Sequence, residues 1–232
     1  MQYRHLFFDL DHTLWDFETN SRETLQELYS TNNLSERGVT SFEDFFNHYS
    51  FHNHRLWDRY TKGFIKQEEL RWKRMWLALL EFKIADDVLS RKLSVEFLQI
   101  LPTKRNIFPH TIEILEYLKK KNYTLHLITN GFEQVQFGKL QNSNMAHYFD
   151  KVITSEGASS LKPNKEIFDF ALQQSGAAVA ESIMIGDNIE ADIKGAMNAG
   201  WDAIFVNHIN AAVKDVKPTY TIHHLEELEG IF

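Results

Sequence analysis

The run Leu6-Phe7-Phe8-Asp9-Leu10-Asp11-His12-Thr13-Leu14 decides how the rest of the chain is read. Three apolar residues stop abruptly at a carboxylate. A short apolar run without alternation predicts a strand buried on both faces. Runs of the same kind recur at Tyr123 to Thr129, Phe149 to Thr154, Ser182 to Ile185 and Ala203 to Val206, each followed by a loop with Asn, Gly or Asp. Helical stripes lie between them. Ile112, Ile114, Leu115 and Leu118 follow Pro109, a residue suited to a first helical position; Phe168, Ala171 and Leu172 follow Pro163; Ile189, Ile193, Ala196 and Met197 run up to Gly200, which suits a helix end. Strands alternating with helices predict an α/β fold, a Rossmann-like doubly wound parallel sheet with right-handed crossovers.

One stretch departs from that alternation. From Phe17 to Leu101 the spacing is helical throughout: Phe42, Phe45, Phe46 and Tyr49 form one stripe, Trp72, Met75, Trp76, Leu79 and Leu80 a second, Leu89, Leu93 and Phe97 a third. This predicts a helical domain over 17–101, inserted after the first strand of a core made of 1–16 and 102–232. Pro102 and Pro109 bracket the return to the core. The aromatic stripes read as helix–helix packing. Trp15 and Phe17, close to Asp11 in sequence, could instead line a substrate mouth.

Composition narrows the function. The 232 residues carry 25 basic and 32 acidic side chains, a net charge of −7, with 43% hydrophobic residues and no cysteine. The chain is therefore globular, without disulfides, thiolate metal sites or cysteine nucleophiles. The acidic balance argues against wrapping a nucleic-acid polymer, which needs clustered Lys and Arg. No apolar run is long enough for a bilayer, and the N-terminal stretch reaches Asp9 before a signal-peptide core could form. The expectation is a cytoplasmic protein, a monomer by default, with no membrane partner.

Ligands of a parallel α/β sheet bind beyond the carboxyl ends of its strands. The polar residues at those ends are Asp9, Asp11 and Thr13; Thr129, Asn130 and Gly131; Lys162 before Pro163; and Gly186, Asp187, Glu190 and Asp192. Singly, each is an ordinary turn or a solvated charge. Together and in this order they form a phosphate chemistry. Clustered carboxylates repel unless a cation compensates, and oxygen ligands with open positions suit Mg²⁺. A hydroxyl, a backbone amide and a lysine can hold phosphate oxygens. One carboxylate then remains to attack phosphorus and another to move a proton.

These motifs resemble those of the haloacid dehalogenase-like hydrolases. Phe7-Phe8-Asp9-Leu10-Asp11-His12-Thr13-Leu14 is similar to the first family motif, Thr129-Asn130-Gly131 to the second, Lys162-Pro163 to the third, and Gly186-Asp187-Asn188-Ile189-Glu190-Ala191-Asp192 to the fourth. The resemblance covers nearly the whole chain, and the helical insertion is similar to the family's mobile cap. It implies Asp9 as nucleophile and Mg²⁺ ligand, Asp11 as general acid and then base with its carbonyl on the metal, and Asp187 as a further ligand. It implies phosphate binding by Thr129, Asn130 and Lys162, and support of Lys162 by Asp192 or Glu190. Family dehalogenases lack an acid at the position of Asp11, because a halide needs no proton. An alkoxide does, so Asp11 argues for phosphate-ester hydrolysis.

Ser155-Glu156-Gly157 and Lys162-Pro163-Asn164-Lys165-Glu166-Ile167-Phe168 look most like the noncanonical pyrimidine 5′-nucleotidase branch. The expected substrate is thus a nucleoside monophosphate. The alternatives are a small phosphosugar or phosphoglycolate phosphatase, a phosphomutase, or a receiver-like phosphoaspartate binding module. The last fits poorly, since receivers phosphorylate an aspartate on a middle strand in chain order. His12, Asn207, His208, His223 and His224 receive no catalytic role.

Overall fold

The computed structural model describes residues 3–210 and 216–232. Two compact units emerge, Met1–Phe17 with Arg105–Phe232, and Glu18–Lys104.

The first unit is built on a parallel sheet of six strands: β1 (His5–Phe8), β2 (Thr124–Thr129), β3 (Phe149–Thr154), β4 (Ser182–Gly186), β5 (Asp202–Val206) and β6 (Tyr220–Ile222), in the order β3-β2-β1-β4-β5-β6. Phe8 pairs with Leu127 on one side and Ile185 on the other. This central position explains why Leu6, Phe7 and Phe8 are all fully buried, with no polar face to alternate. Phe7, Ile128, Phe168, Met184, Trp201 and Phe205 share one core cluster. The chain builds β1, β2 and β3 outward, then returns past β1 to start β4. The order therefore reverses between β1 and β4, and a crevice opens there beyond the strand ends.

Helices α1 (Phe17–Thr31), α2 (Phe42–Thr61), α3 (Gln67–Leu80), α4 (Asp87–Ile100), α5 (Thr111–Lys120), α6 (Glu133–Asn142), α7 (Ser155–Ala158), α8 (Lys165–Ser175) and α9 (Gly195–Asn198) complete the chain, with a π-helical turn at Ile189–Lys194. In the helical unit, Ser41 and Asp86 cap α2 and α4, accepting from the amides of Asp44 (3.2 Å) and Leu89 (2.9 Å). Phe45, Phe46 and Tyr49, Met75 and Leu79, and Leu89, Leu93 and Phe97 are its buried stripes. No helix among the described residues is long and apolar enough to cross a membrane.

Four local expectations are corrected. Pro109 does not start α5: the helix begins at Thr111, after His110 in a left-handed conformation (φ +63°). Residues 189–197 are a π-turn running into a short α-helix, and Met197 is exposed. The strand β6 has no apolar run to announce it, since Tyr220 and Thr221 face solvent. Trp15 is fully buried, and its indole Nε1 donates to Ser143 Oγ (3.1 Å), so it belongs to the core and not to a substrate mouth. Phe17 is half-buried.

Candidate active site

Asp9 sits one residue past β1, where its amide continues the ladder to the Ile185 carbonyl (2.9 Å). The chain then folds back tightly: the Leu10 carbonyl accepts from the amides of Leu14 (3.0 Å) and Trp15 (2.9 Å), with His12 left-handed at φ +62°. This turn brings Thr13 back toward β4, where its hydroxyl donates to Asp187 Oδ1 (3.1 Å).

Lys162 reaches the same place from the loop before α8. Its Nζ donates to Asp9 Oδ1 (2.6 Å), Asp192 Oδ1 (2.6 Å) and the Ile128 carbonyl (2.7 Å). All three ammonium protons are thereby used, which a fully buried lysine requires. Asn130 orients that loop from β2: its side chain donates to the Lys162 carbonyl (2.9 Å) and accepts from the Lys162 amide (2.8 Å). That amide group is thus committed to the protein backbone. Asp192 is held by the Asn188 amide on its second oxygen (3.0 Å), and a β-carbon at Gly186 would lie 2.3 Å from that oxygen. Glycine is what lets the aspartate come so close to the strand. Asp192, not Glu190, is the acid that touches Lys162; Glu190 is exposed and pairs with Lys194.

The electrostatics follow from counting charges in a dry place. Asp9, Asp187 and Asp192 each bring one carboxylate oxygen to within 4.8 Å of the others. Three carboxylates face one ammonium, an excess of two negative charges when all are ionised. Burial pushes the Asp9 carboxyl up to about 7, against the pull of Lys162 and with the push of Asp192. Burial, then Asp192 and Asp9, raise Asp187 well above the carboxylate range. Burial alone would lower Lys162, but Asp192 and Asp9 outweigh it and raise it. A hard divalent cation is what such an oxygen-only, over-negative cluster is fitted to hold. Asp187 and Asp9 could supply its ligands, whereas both oxygens of Asp192 already accept hydrogen bonds, from Lys162 Nζ and from the Asn188 amide.

Asp11 lies apart from this cluster. Its oxygens accept from Lys139 Nζ (2.6 and 2.8 Å) and Gln136 Nε2 (3.0 Å) on α6. The same Gln136 nitrogen donates to Thr129 Oγ (2.6 Å), whose oxygen also accepts the Gly131 amide (3.1 Å). Gln136 and Lys139 went unnoticed in the sequence. Their one signal is that α6 lacks an apolar stripe: its buried face is Val135, Gln136, Lys139 and Leu140. His208, left without a role, stacks on Phe108 and contacts the Thr13 carbonyl (3.1 Å), so it braces the turn after β1.

A parallel sheet with a buried carboxylate–lysine cluster at its switch point has the architecture of an α/β enzyme. Comparison with known proteins makes this specific. The family model for haloacid dehalogenase-like hydrolases matches residues 3–200. The chain is 32% identical over 235 residues to the pyrimidine 5′-nucleotidase YjjG of Escherichia coli strain K12, covering 100% of this chain and 98% of that one. It is 31% identical to the pyrimidine 5′-nucleotidase PynA of Streptococcus pneumoniae over 98% of this chain and 94% of that one. Among solved structures, the HAD-hydrolase YfnB of Bacillus subtilis, bound to magnesium and described as revealing interdomain movement, superposes with a TM-score of 0.89 at 27% identity, covering 100% of this chain and 99% of that one. The chain belongs to the haloacid dehalogenase-like hydrolase family, and it is a hydrolase.

Proposed function

We propose that this hydrolase is a Mg²⁺-dependent phosphatase that cleaves nucleoside 5′-monophosphates, pyrimidines before purines, through an aspartyl-phosphate on Asp9. The observation that carries the phosphatase reading is the pairing of a buried, lysine-bound Asp9 with a second aspartate, Asp11, on the same turn. Asp9 and Asp187, with the main-chain carbonyl of Asp11, would hold the metal. When bound, Mg²⁺ supplies positive charge that offsets both the carboxylates and the substrate phosphate. Asp9 attacks phosphorus while Asp11 gives its proton to the departing ester oxygen; Asp11 then takes a proton from the water that hydrolyses the aspartyl-phosphate. Thr129 holds a phosphate oxygen, and Lys162 passes one hydrogen bond from Asp9 to the phosphoryl group as charge moves there. Asn130 contributes by fixing the Lys162 loop. The helical unit Glu18–Lys104 is assigned the part of a cap, and the cytoplasm is the proposed compartment.

The nucleotide preference is supported by the names and full-length similarity of the two nucleotidases. Buried Trp15 offers no ring to a base, which leaves half-buried Phe17 as the aromatic near Asp11. The test is Mg²⁺-dependent phosphate release, comparing kcat/KM for uridine and thymidine monophosphates, adenosine monophosphate, a hexose phosphate and phosphoglycolate. The pyrimidine nucleotides should lead. A clear win for a sugar phosphate or phosphoglycolate overturns the nucleotidase reading and leaves the Asp9 chemistry in place.

A further inference from the structure

We infer that Gln136 and Lys139 are positioning residues that aim the Asp11 carboxylate at the ester oxygen, an inference that rests on the acid role proposed for Asp11. The two lie three apart on α6, on one face of the helix and one turn from each other. Lys139 binds both Asp11 oxygens, and Gln136 binds one of them (3.0 Å) together with the Thr129 hydroxyl (2.6 Å). One amide thus ties the proton carrier to the hydroxyl assigned to phosphate. The distance between acid and phosphate is set by a single rigid group.

Burial shows which side of the carboxylate is held. The Lys139 side chain is 2% exposed and Gln136 is fully buried, while the Asp11 side chain is 24% exposed. Asp11 is gripped from the protein side and open on the other. A carboxylate has about four lone-pair sites, so these three hydrogen bonds leave one facing outward. Around the grip the packing is tight. The Trp15 ring, fixed through Ser143, has its centroid 4.4 Å from Lys139 Nζ, and the Phe17 ring 5.5 Å. A β-carbon at Gly131 would come within 2.4 Å of the Gln136 amide, so only glycine there lets the amide reach Thr129.

A buried lysine is a costly way to stabilise a fold, since an apolar residue of similar volume usually serves at least as well. Lys139 and Gln136 together prevent Asp11 from swinging on its side-chain torsions. The chemistry needs that restraint. The acid form of Asp11 carries its proton on the outward-facing oxygen site. As Asp9 Oδ forms its bond to phosphorus, the ester P–O bond breaks, its electron pair stays on the departing oxygen, and that oxygen takes this proton to leave as an alcohol. The carboxylate left on Asp11 is the form Lys139 and Gln136 hold. Misplacing a catalytic group by about 1 Å costs ~10²-fold.

The test separates aiming from folding by the leaving group. K139M, Q136M and D11N are compared with the parent, with Mg²⁺, on a nucleoside 5′-monophosphate and on p-nitrophenyl phosphate. The reading is kcat/KM, which covers steps only up to formation of the aspartyl-phosphate. A nitrophenolate leaves with little need of a proton; an alkoxide does not. D11N and K139M should lose ~10²-fold or more on the nucleotide and about tenfold or less on the nitrophenyl ester. Q136M should follow in the same direction with a smaller loss. If K139M does not fold, as judged by circular dichroism, neutral and near-isosteric Q136M carries the same comparison. Equal losses on both esters, or no loss in either variant while D11N keeps its leaving-group dependence, overturn the inference. Equal losses in D11N itself overturn the acid role on which it stands.

Discussion

Two buried lysines 23 residues apart in sequence, Lys139 on α6 and Lys162 in the loop before α8, meet the two aspartates of the turn after β1 in opposite ways. Lys162 stands among Asp9, Asp187 and Asp192, outnumbered by carboxylates. Lys139 pairs with the carboxylate of Asp11 beside two aromatic rings. The cluster around Lys162 holds its excess charge at the cost of a raised Asp9, and it is the one we propose takes up the cation and then the phosphate. The surroundings of Asp11 fix its carboxylate with three hydrogen bonds. The difference teaches that the two aspartates of one turn are given separate surroundings, which suits the separate roles proposed for them, bonding to phosphorus and handling a proton.

The largest effect should come from D9N. The amide is nearly isosteric, a poor nucleophile and a weaker ligand, so turnover should be abolished while the thermal melting curve remains cooperative. Phosphate release near the parent rate removes Asp9 from its role. The next effect compares the lysines directly. K162M leaves Asp9 and Asp192 buried without a counter-charge and should cost ~3–5 kcal/mol of stability in metal-free protein. K139M leaves a partly hydrated Asp11 and should cost about 1 kcal/mol or less. Urea melts of the two variants check this; equal costs erase the contrast drawn between the pockets.

Beryllium fluoride with Mg²⁺ should inhibit and should raise the melting temperature, because a phosphoryl mimic on Asp9 binds only the folded state. A mimic that stabilises D9N as well as the parent would falsify that placement. The smallest effect is the pH dependence. Asp9 rises from 3.8 to about 7 on folding. Between those values the folded state holds the proton more tightly than the unfolded one, so metal-free stability falls as pH climbs through this window and stays low above it. Mg²⁺ relieves the repulsion, so its gain in melting temperature should be larger at pH 8 than at pH 5. A gain independent of pH would place the cation elsewhere.

Much of this was legible along the chain because strands of a parallel sheet end where their apolar runs end. Phe8 to Asp9 and Ile185 to Gly186-Asp187 mark such ends, and the switch point gathers whatever polar residues follow. Helix existence was equally plain in α2, α3 and α4, whose stripes are long, with Ser41 and Asp86 capping α2 and α4. The edge strand β6 was not legible, because an edge needs no apolar face in both directions. Nor was α6, whose buried face carries Gln136 and Lys139 where an apolar stripe would be sought.

The sequence by itself determined the kind of fold, the inserted helical stretch, and the identity of Asp9, Asp11, Thr129, Lys162, Asp187 and Asp192 as residues at strand ends and the loops that follow them. Periodicity and local spacing act within a few residues, and each of those signals is local. Only the tertiary structure decided that Lys162 grips Asp9 across 153 residues and that Lys139 grips Asp11 across 128. It decided too that Asn130 serves the Lys162 loop and that Trp15 is core. Those outcomes depend on strand order, register and the depth to which each side chain is buried, and a buried charge takes whichever partner the packed sheet brings within 3 Å, wherever that partner lies in the chain.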